Sequence, residues 1–583
     1  MWHFQSFEAP SSPLLKALRN LSSCDEEFTA RKSLSLRRAS TGDEHSPGKT
    51  RSRLHRTYAP PQSQSPASIY STLCHHAKVP LHNVILKKLS AFDSNTVSSL
   101  NKLSICHQAL SDADVALLCR SLSACSSLQE ISLNHCSLSN NASTSVANLV
   151  YSTTSLSVVE LFGNDIGDAG MYTWSSLLCS CSHIKRLKLG DNPITSSGAI
   201  ILSKGLRTPQ SSLLQLHLGG CRIGSEGADA LTGALIGNST LSSLGLRDNY
   251  LGVKGILAIS PLIASPLCSL MDIQLKSNNI DVAGALHFSR ALSSNTSLRV
   301  IEVQNNSFGS LGAKYILDAL KNNSTVSAIN FNQCSINDDG VAELASLILH
   351  SSTLCTLGLA NNNITEEGAR HLAFALTNNS SVVGVDLSCN RIKDDGAVAF
   401  GQMIGHNQTL TSLDLSSNLI GPDGVVVISK ALEINQTLKH LDLGNNCCRN
   451  RGAIALSQAL KVNQSLTRLC LTDNSIYEPG GIKLSEGLKF NKTLTTLSFG
   501  GQGERANRIQ SSTRRIIDKM VSKNSQNNRK HQSNFTKSLI DEVLENRSIR
   551  QGYELAYDCG LLECLDLDID MVSTCLDDED IVF

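Results

Sequence analysis

Residues 354–379 read LCTLGLANNNITEEGARHLAFALTNN. Leu354, Leu357 and Leu359 fit a short strand in which alternate side chains point inward. Asn362 then has to turn the chain, and its amide can satisfy backbone groups of the bend. Gly368 suits a position that needs either an unusual backbone or a close approach just before a helix. Ala369, Leu372, Ala373 and Leu376 follow at i, i+3, i+4 and i+7, one apolar stripe of a helix, which Asn378 and Asn379 end.

The same pattern, L-x-x-L-x-L-x-x-N-x-I, recurs from Gln108 to Gln502 in fifteen registers. The step is 28 residues, twice 29, and cysteine replaces asparagine at Cys136, Cys221 and Cys334. A glycine stands six residues after the turn position from Gly170 to Gly480. One such unit cannot bury its own apolar stripe, whereas stacked copies can. The pattern therefore predicts an α/β solenoid, a horseshoe of about fifteen strand–helix repeats. Its parallel sheet lines the concave face and its helices the convex face.

The 28-residue step, the exchange of Asn with Cys and the G-A-x-x-L-A-x-A-L helix resemble the ribonuclease-inhibitor type of leucine-rich repeat. The resemblance covers residues 98–503. It is shared with the repeat arrays of NOD-like receptors, Ran GTPase-activating proteins and several centrosomal and ciliary proteins. It implies a protein-binding surface and no chemistry.

Composition agrees. Aromatic residues are 4% and charged residues 17% of 583, which suits a shallow repeated core. Formal net charge is zero, so there is no basic field for nucleic acid. No apolar run is long enough to insert in a membrane and no signal peptide is legible. Nineteen scattered cysteines, an odd number, read as reduced thiols of a cytoplasmic protein, with nuclear, centrosomal or ciliary pools as alternatives.

The flanks divide by composition. Residues 1–67 form a basic Ser/Pro-rich arm, expected to be disordered, with six of the thirteen prolines. Gly42 to Thr50 imitates a phosphate-binding loop but has five residues between its glycines where the motif has four. Arg37-Arg38-Ala39-Ser40 suits a basic-directed kinase and makes Ser40 a candidate phosphorylation site; the alternative is a solvated basic tail. Residues 68–97, with Tyr70, Leu73, Cys74, Val84, Ile85 and Leu89, are expected to be a helical cap. Their Y-x-x-L-C and V-P pattern resembles the entry of some centrosomal repeat proteins, although no coiled coil follows. Residues 504–550 are a basic polar linker with an amphipathic helix expected at Phe535 to Leu544. Residues 551–583 carry ten acidic residues, no Lys or Arg, and a mixture of acids with Leu, Ile, Met and Val from Leu561 onward.

Strand positions pointing away from the core form rows across the sheet, about 4.8 Å apart. The residue between the last two strand aliphatics gives Glu160, Lys188, His217, Gln274, Glu302, Asn330, Asp386, Asp414 and Asp442. Asp386, Asp414 and Asp442 form an acidic row; Arg186, Lys188, Arg247 and Lys276 form a looser basic patch. These residues are the candidate partner-binding set, the alternative being a merely solvated face. The repeated N-x-[S/T] sequences (Asn238, Asn323, Asn379, Asn407, Asn435, Asn463, Asn491) share one register, so turn chemistry is expected of them rather than glycosylation. No nucleophile–base or metal-ligand spacing occurs, and no cofactor or metal is expected. The reading is a non-enzymatic, monomeric intracellular scaffold that binds a protein. A centrosomal or ciliary component and a Ran-type GTPase activator are the alternatives.

Overall fold

In the computed structural model the described residues are 65–90, 101–123, 125–208, 211–502 and 505–527. The arm with Ser40, the helix expected at Phe535 to Leu544 and the acidic segment lie outside them. The chain divides into two units, residues 1–61 and 62–583; the second holds everything described here.

Fifteen strands of three residues each, β1 (Lys102–Ser104) to β15 (Thr496–Ser498), form one parallel sheet in sequence order. Neighbours pair in the register of the repeat, as Leu357 does with Val385 and Val385 with Leu413. A helix separates each strand from the next. The middle residue of every strand is buried. It packs with the helix stripe, for example Leu357 with Ala369, Leu372, Ala373 and Leu376, in one continuous apolar core.

Polar ladders fix the stacking. The Oδ1 of Asn362 accepts the backbone N–H of Cys334 (3.0 Å) and Ile336 (3.2 Å) in the preceding repeat. Its Nδ2 donates to the carbonyls of Phe331 (2.8 Å) and Ala360 (3.1 Å). Cys334, in the same register, makes only the donor half of this arrangement, to the carbonyls of Val303 and Asn332. Burial pushes its thiol up to about 12, so the sulfur keeps the proton it donates.

The N-x-[S/T] register builds a second ladder. The Oδ1 of Asn379 accepts the N–H of Ser381 and Val382, each at 2.8 Å, and its Nδ2 donates to the carbonyl of Ile348 at 2.8 Å. Asn379 thus ends its helix with extended backbone (φ −94°, ψ 141°), through its side chain rather than a left-handed turn. Asn295, which has the same bonds, belongs to this register too.

The glycine column is explained by approach. A Cβ on Gly368 would lie 2.4 Å from the Oδ1 of Asp338, which accepts the Gly368 and Thr365 N–H groups and so caps the next helix. Gly368 does not have a positive φ.

Both ends of the array are capped. At the front, α1 (Pro66–Ala77) and α2 (Asn83–Ser90) place Tyr70, Cys74, Ile85 and Leu89 in the core. At the back the sequence pattern puts Gln502 in the turn register, but Gln502 is exposed. Asn507 takes that role instead: it accepts from the N–H of Asn474 and Ile476 and donates to the Leu471 carbonyl. A helix over 511–527 follows, with Ile517 fully buried and Asn524 donating to the carbonyls of Asn491 and Leu494. The packed array therefore continues beyond residue 503.

Candidate partner-binding face

The first and third residues of each strand stand on the sheet face away from the helices, and the face is not uniform. At the front, Glu160 and Lys188 are neighbours in register and form an ion pair at 3.1 Å. Burial alone would raise the Glu160 carboxyl; the Lys188 ammonium, with help from Arg186 and Asn134, holds it below the usual carboxylate range. Arg247 pairs with Asp248 (2.7 Å) and Asp191 (3.5 Å). The basic patch is therefore locally compensated at two of its four members.

Arg247 and Lys276 stand two residues past the strand, in the column of Phe162, Gly190 and Gly219. The two glycines leave the space that Phe162 and Arg247 fill. A Cβ on Gly219 would lie 2.4 Å from Arg247 Cγ, and one on Gly190 would lie 3.1 Å from Phe162 Cδ2. The guanidinium thus sits 5.5 Å from the Phe162 ring centroid, a cation–π contact across three repeats. His135 continues the series, edge-on to Phe162 (5.2 Å) and stacked on His107 (4.7 Å). The sequence reading missed Phe162, His135 and the two glycines; Phe162, Gly190, Gly219 and Arg247 share one turn column, but nothing that recurs between repeats marks their contact.

In the middle of the sheet, His217 Nε2 lies 3.1 Å from Ser243 Oγ, and that hydroxyl donates to Asp272 Oδ2 at 2.7 Å. Gln274 Nε2 donates to the same oxygen at 3.1 Å. Ser243 gives its proton to Asp272, so His217 Nε2 must donate to the hydroxyl rather than take its proton. That order is the reverse of a nucleophile–base–acid relay, and no activated serine results. Gln274, Asp272 and Ser243 are buried, and His217 is half-buried. Glu302 accepts from Gln304 at 3.3 Å, and Asn330 accepts the N–H of Asn332 at 3.0 Å.

Towards the back, Asp386, Asp414 and Asp442 sit directly opposite one another on adjacent strands. Each carboxylate accepts a backbone N–H two residues on: Ser388 at 2.9 Å, Ser416 at 2.8 Å and Gly444 at 2.6 Å. Asp386 also accepts from Asn332 Nδ2 at 3.1 Å, two repeats away. For Asp414, burial and then the adjacent Asp442 charge outweigh the Ser416 bonds, with Asp386 adding to them. Its carboxyl is pushed up to about 6. Among the described residues no ion pair to these three carboxylates is present, so the row combines a structural task with like charges side by side.

Among the described residues no three His, Cys, Asp or Glu side chains gather as a metal site. No described helix is long and apolar enough to cross a membrane.

A parallel sheet laid down in sequence order, locked by a buried asparagine or cysteine in a repeat of 28 or 29 residues, defines a leucine-rich-repeat protein. Its repeats are of the ribonuclease-inhibitor type. The family model described as the MHP1/HER1/GIP3 LRR domain matches residues 231–502, and one described as Leucine Rich repeat matches 153–173, 180–203 and 210–231. The chain is 34% identical over 124 residues to the human NACHT, LRR and PYD domains-containing protein 5, which covers 21% of this chain and 10% of that protein. It is 28% identical over 265 residues to the ribonuclease inhibitor of Sus scrofa, covering 40% and 58% respectively. A solved internalin from Listeria monocytogenes is 17% identical with a TM-score of 0.36, covering 72% of this chain and 95% of that one. The chain thus spans less than two thirds of the curated relatives named.

Proposed function

We propose that this protein is a non-enzymatic scaffold in the cytoplasm whose sheet face holds a protein partner, and that the partner brings a basic segment to Asp386, Asp414 and Asp442. The observation that carries this is the raised Asp414 carboxyl between two other aspartates. Like charges held side by side and partly desolvated cost free energy until a cation arrives, and a Lys or Arg chain supplies one per repeat. The cation–π clasp of Phe162 and Arg247 supplies a second contact region nearer the front. The described cysteines are all free thiols, in keeping with a reducing compartment. One relative is named as an inhibitor of ribonuclease, an enzyme, which agrees with this reading. No feature of the described residues favours a centrosomal role or Ran-type GTPase activation over it.

The test is capture from lysate with the wild type and with Asp386→Asn/Asp414→Asn/Asp442→Asn. Asparagine keeps an oxygen for the backbone N–H groups and removes only charge. A partner released by the triple variant, and released from the wild type by raised salt, supports the proposal. A partner held equally by both proteins at every salt concentration places the binding surface elsewhere and ends it.

A further inference from the structure

The second asparagine ladder carries an exposed row beside it. The residues just before Asn435, Asn463 and Asn491 are Ile434, Val462 and Phe490, and they are 66%, 55% and 61% exposed. The ladder fixes their spacing, because Asn463 Nδ2 donates to the Asn435 carbonyl (3.1 Å) and Asn491 Nδ2 to the Asn463 carbonyl (2.9 Å). Ile434 leans along the rim: a Cβ on Gly405 would meet its Cδ1 at 3.6 Å. In the two preceding repeats the same place holds His406 and Asn378. The apolar row is therefore confined to the last three full repeats. Exposed lysines flank its Val462 and Phe490 end, Lys461 and Lys489 in the row's own turns, Lys492 just beyond, and Lys523 in the next rung, whereas exposed Glu433 holds their register beside Ile434. Of the nearby acids, Glu486 is paired with Lys483 at 2.8 Å.

The described residues end beside this row. Asn524 bonds the Asn491 carbonyl at 3.2 Å, and the described residues stop at 527. From there, residues 528–560 precede a segment of matching chemistry, and an extended chain of that length spans up to roughly 110 Å, far more than the row needs. The segment alternates Leu565-Asp566-Leu567-Asp568-Ile569-Asp570. In an extended chain this puts three apolar side chains on one side and three carboxylates on the other.

We infer that residues 561–583 dock on the rim formed by Ile434, Val462 and Phe490 of the same chain. Leu565, Leu567 and Ile569 cover the apolar row, and the carboxylates meet the lysine heads, whose long stems reach around the docked segment. The segment then covers the rim on the tether of residues 528–560 and leaves the sheet face open. Because the link is within one chain and long enough to span the distance, it gives the segment an advantage in effective concentration over a competing acidic peptide.

The test is carbodiimide coupling on the full chain, which joins a lysine amine to a carboxylate only at direct contact. The sample is an equal mixture of unlabelled and nitrogen-15-labelled protein, read by mass spectrometry. Docking gives peptides linking Lys461, Lys489 or Lys492 to carboxylates of 561–583, within single-isotope chains. Val462→Asp/Phe490→Asp should cut their yield at least tenfold. Leu565→Ser/Leu567→Ser/Ile569→Ser should do the same without touching the array. Absence of these links, links unchanged in the second variant, or links mainly between isotopes (a second copy's segment on the rim) would each overturn the inference.

Discussion

An asparagine amide buried in a bend replaces four backbone partners at once, which is why the turn position tolerates little else. Asn362→Ala should cost about 2–4 kcal/mol, because it strands the N–H groups of Cys334 and Ile336 and two carbonyls away from water. Cys334→Ala removes one weak donor and should cost about 1 kcal/mol; urea denaturation of the two variants gives the comparison, and equal losses would contradict the ladder's role. Asp414 behaves differently. Its folded carboxyl titrates at about 6, above the ordinary value near 3.9 of an unfolded chain. Between those values the folded state keeps a proton that the unfolded state has released, so stability falls as pH rises through this window. The ionisation cost is absent below about pH 4 and complete above about pH 6. Asp414→Asn should therefore gain on the order of 1–2 kcal/mol at pH 7.5 and nothing at pH 4. A gain of the same size at both values, from melting curves, would refute the assignment. The aspartate row was legible in the sequence because the strand register names it. Its compromise was not, since the bonds from Ser388, Ser416 and Asn332 depend on turn geometry that no periodicity encodes.

At the level of the strand–turn–helix unit, one substitution changes sign with position. Gly340 opens a helix in the periodic glycine column, and a Cβ there would lie 2.2 Å from Ile336 Cγ2, with Ser310 Cα at 3.3 Å behind it. Gly340→Ala forces the helix start apart from its own turn and should cost about 1–3 kcal/mol. Gly233, near the end of the helix Gly224–Leu235, has nothing within 4 Å of a built Cβ. Gly233→Ala should instead stabilise by about 0.5–1 kcal/mol, by restricting the unfolded chain. Thermal midpoints that move in the same direction for both would show that the close approach does not decide the column. The unit was readable because each residue's task recurs in every copy. What recurs nowhere was not readable. Phe162 and Arg247 meet only because Gly190 and Gly219 happen to intervene. Asn507 takes its rung 33 residues after Asn474 instead of 28, so a search by period stops at Gln502.

Across the whole array each repeat is held mainly by its two neighbours, so stability is a sum of local terms and the ends are where it is thinnest. The helix over 511–527 covers the apolar side of the last full repeat through Ile517, with Met520 and Val521 packed against the core, and Asn507 and Asn524 close both ladders. Ile517→Asp places a carboxylate in that fully buried site and should undock the helix. The loss then has a direction. Amides of β14 (Arg468–Cys470), β15 and the helix Glu478–Leu488 should exchange with solvent at least tenfold faster. Those of β2 (Glu130–Ser132) and β3 (Val158–Glu160), far along the row of neighbours, should keep their wild-type rates. Hydrogen exchange read peptide by peptide separates this from a cooperative globule, in which every strand would lose protection together. Uniform loss would mean that the repeats unfold as one body, and the binding face would then answer to damage at its ends. Loss confined to β14, β15 and that helix would mean that the aspartate row, sited two to four rungs in from β15, is held by its own neighbours rather than by the cap; loss that spreads inward to β13 (His440–Asp442) would tie the row's near end to it.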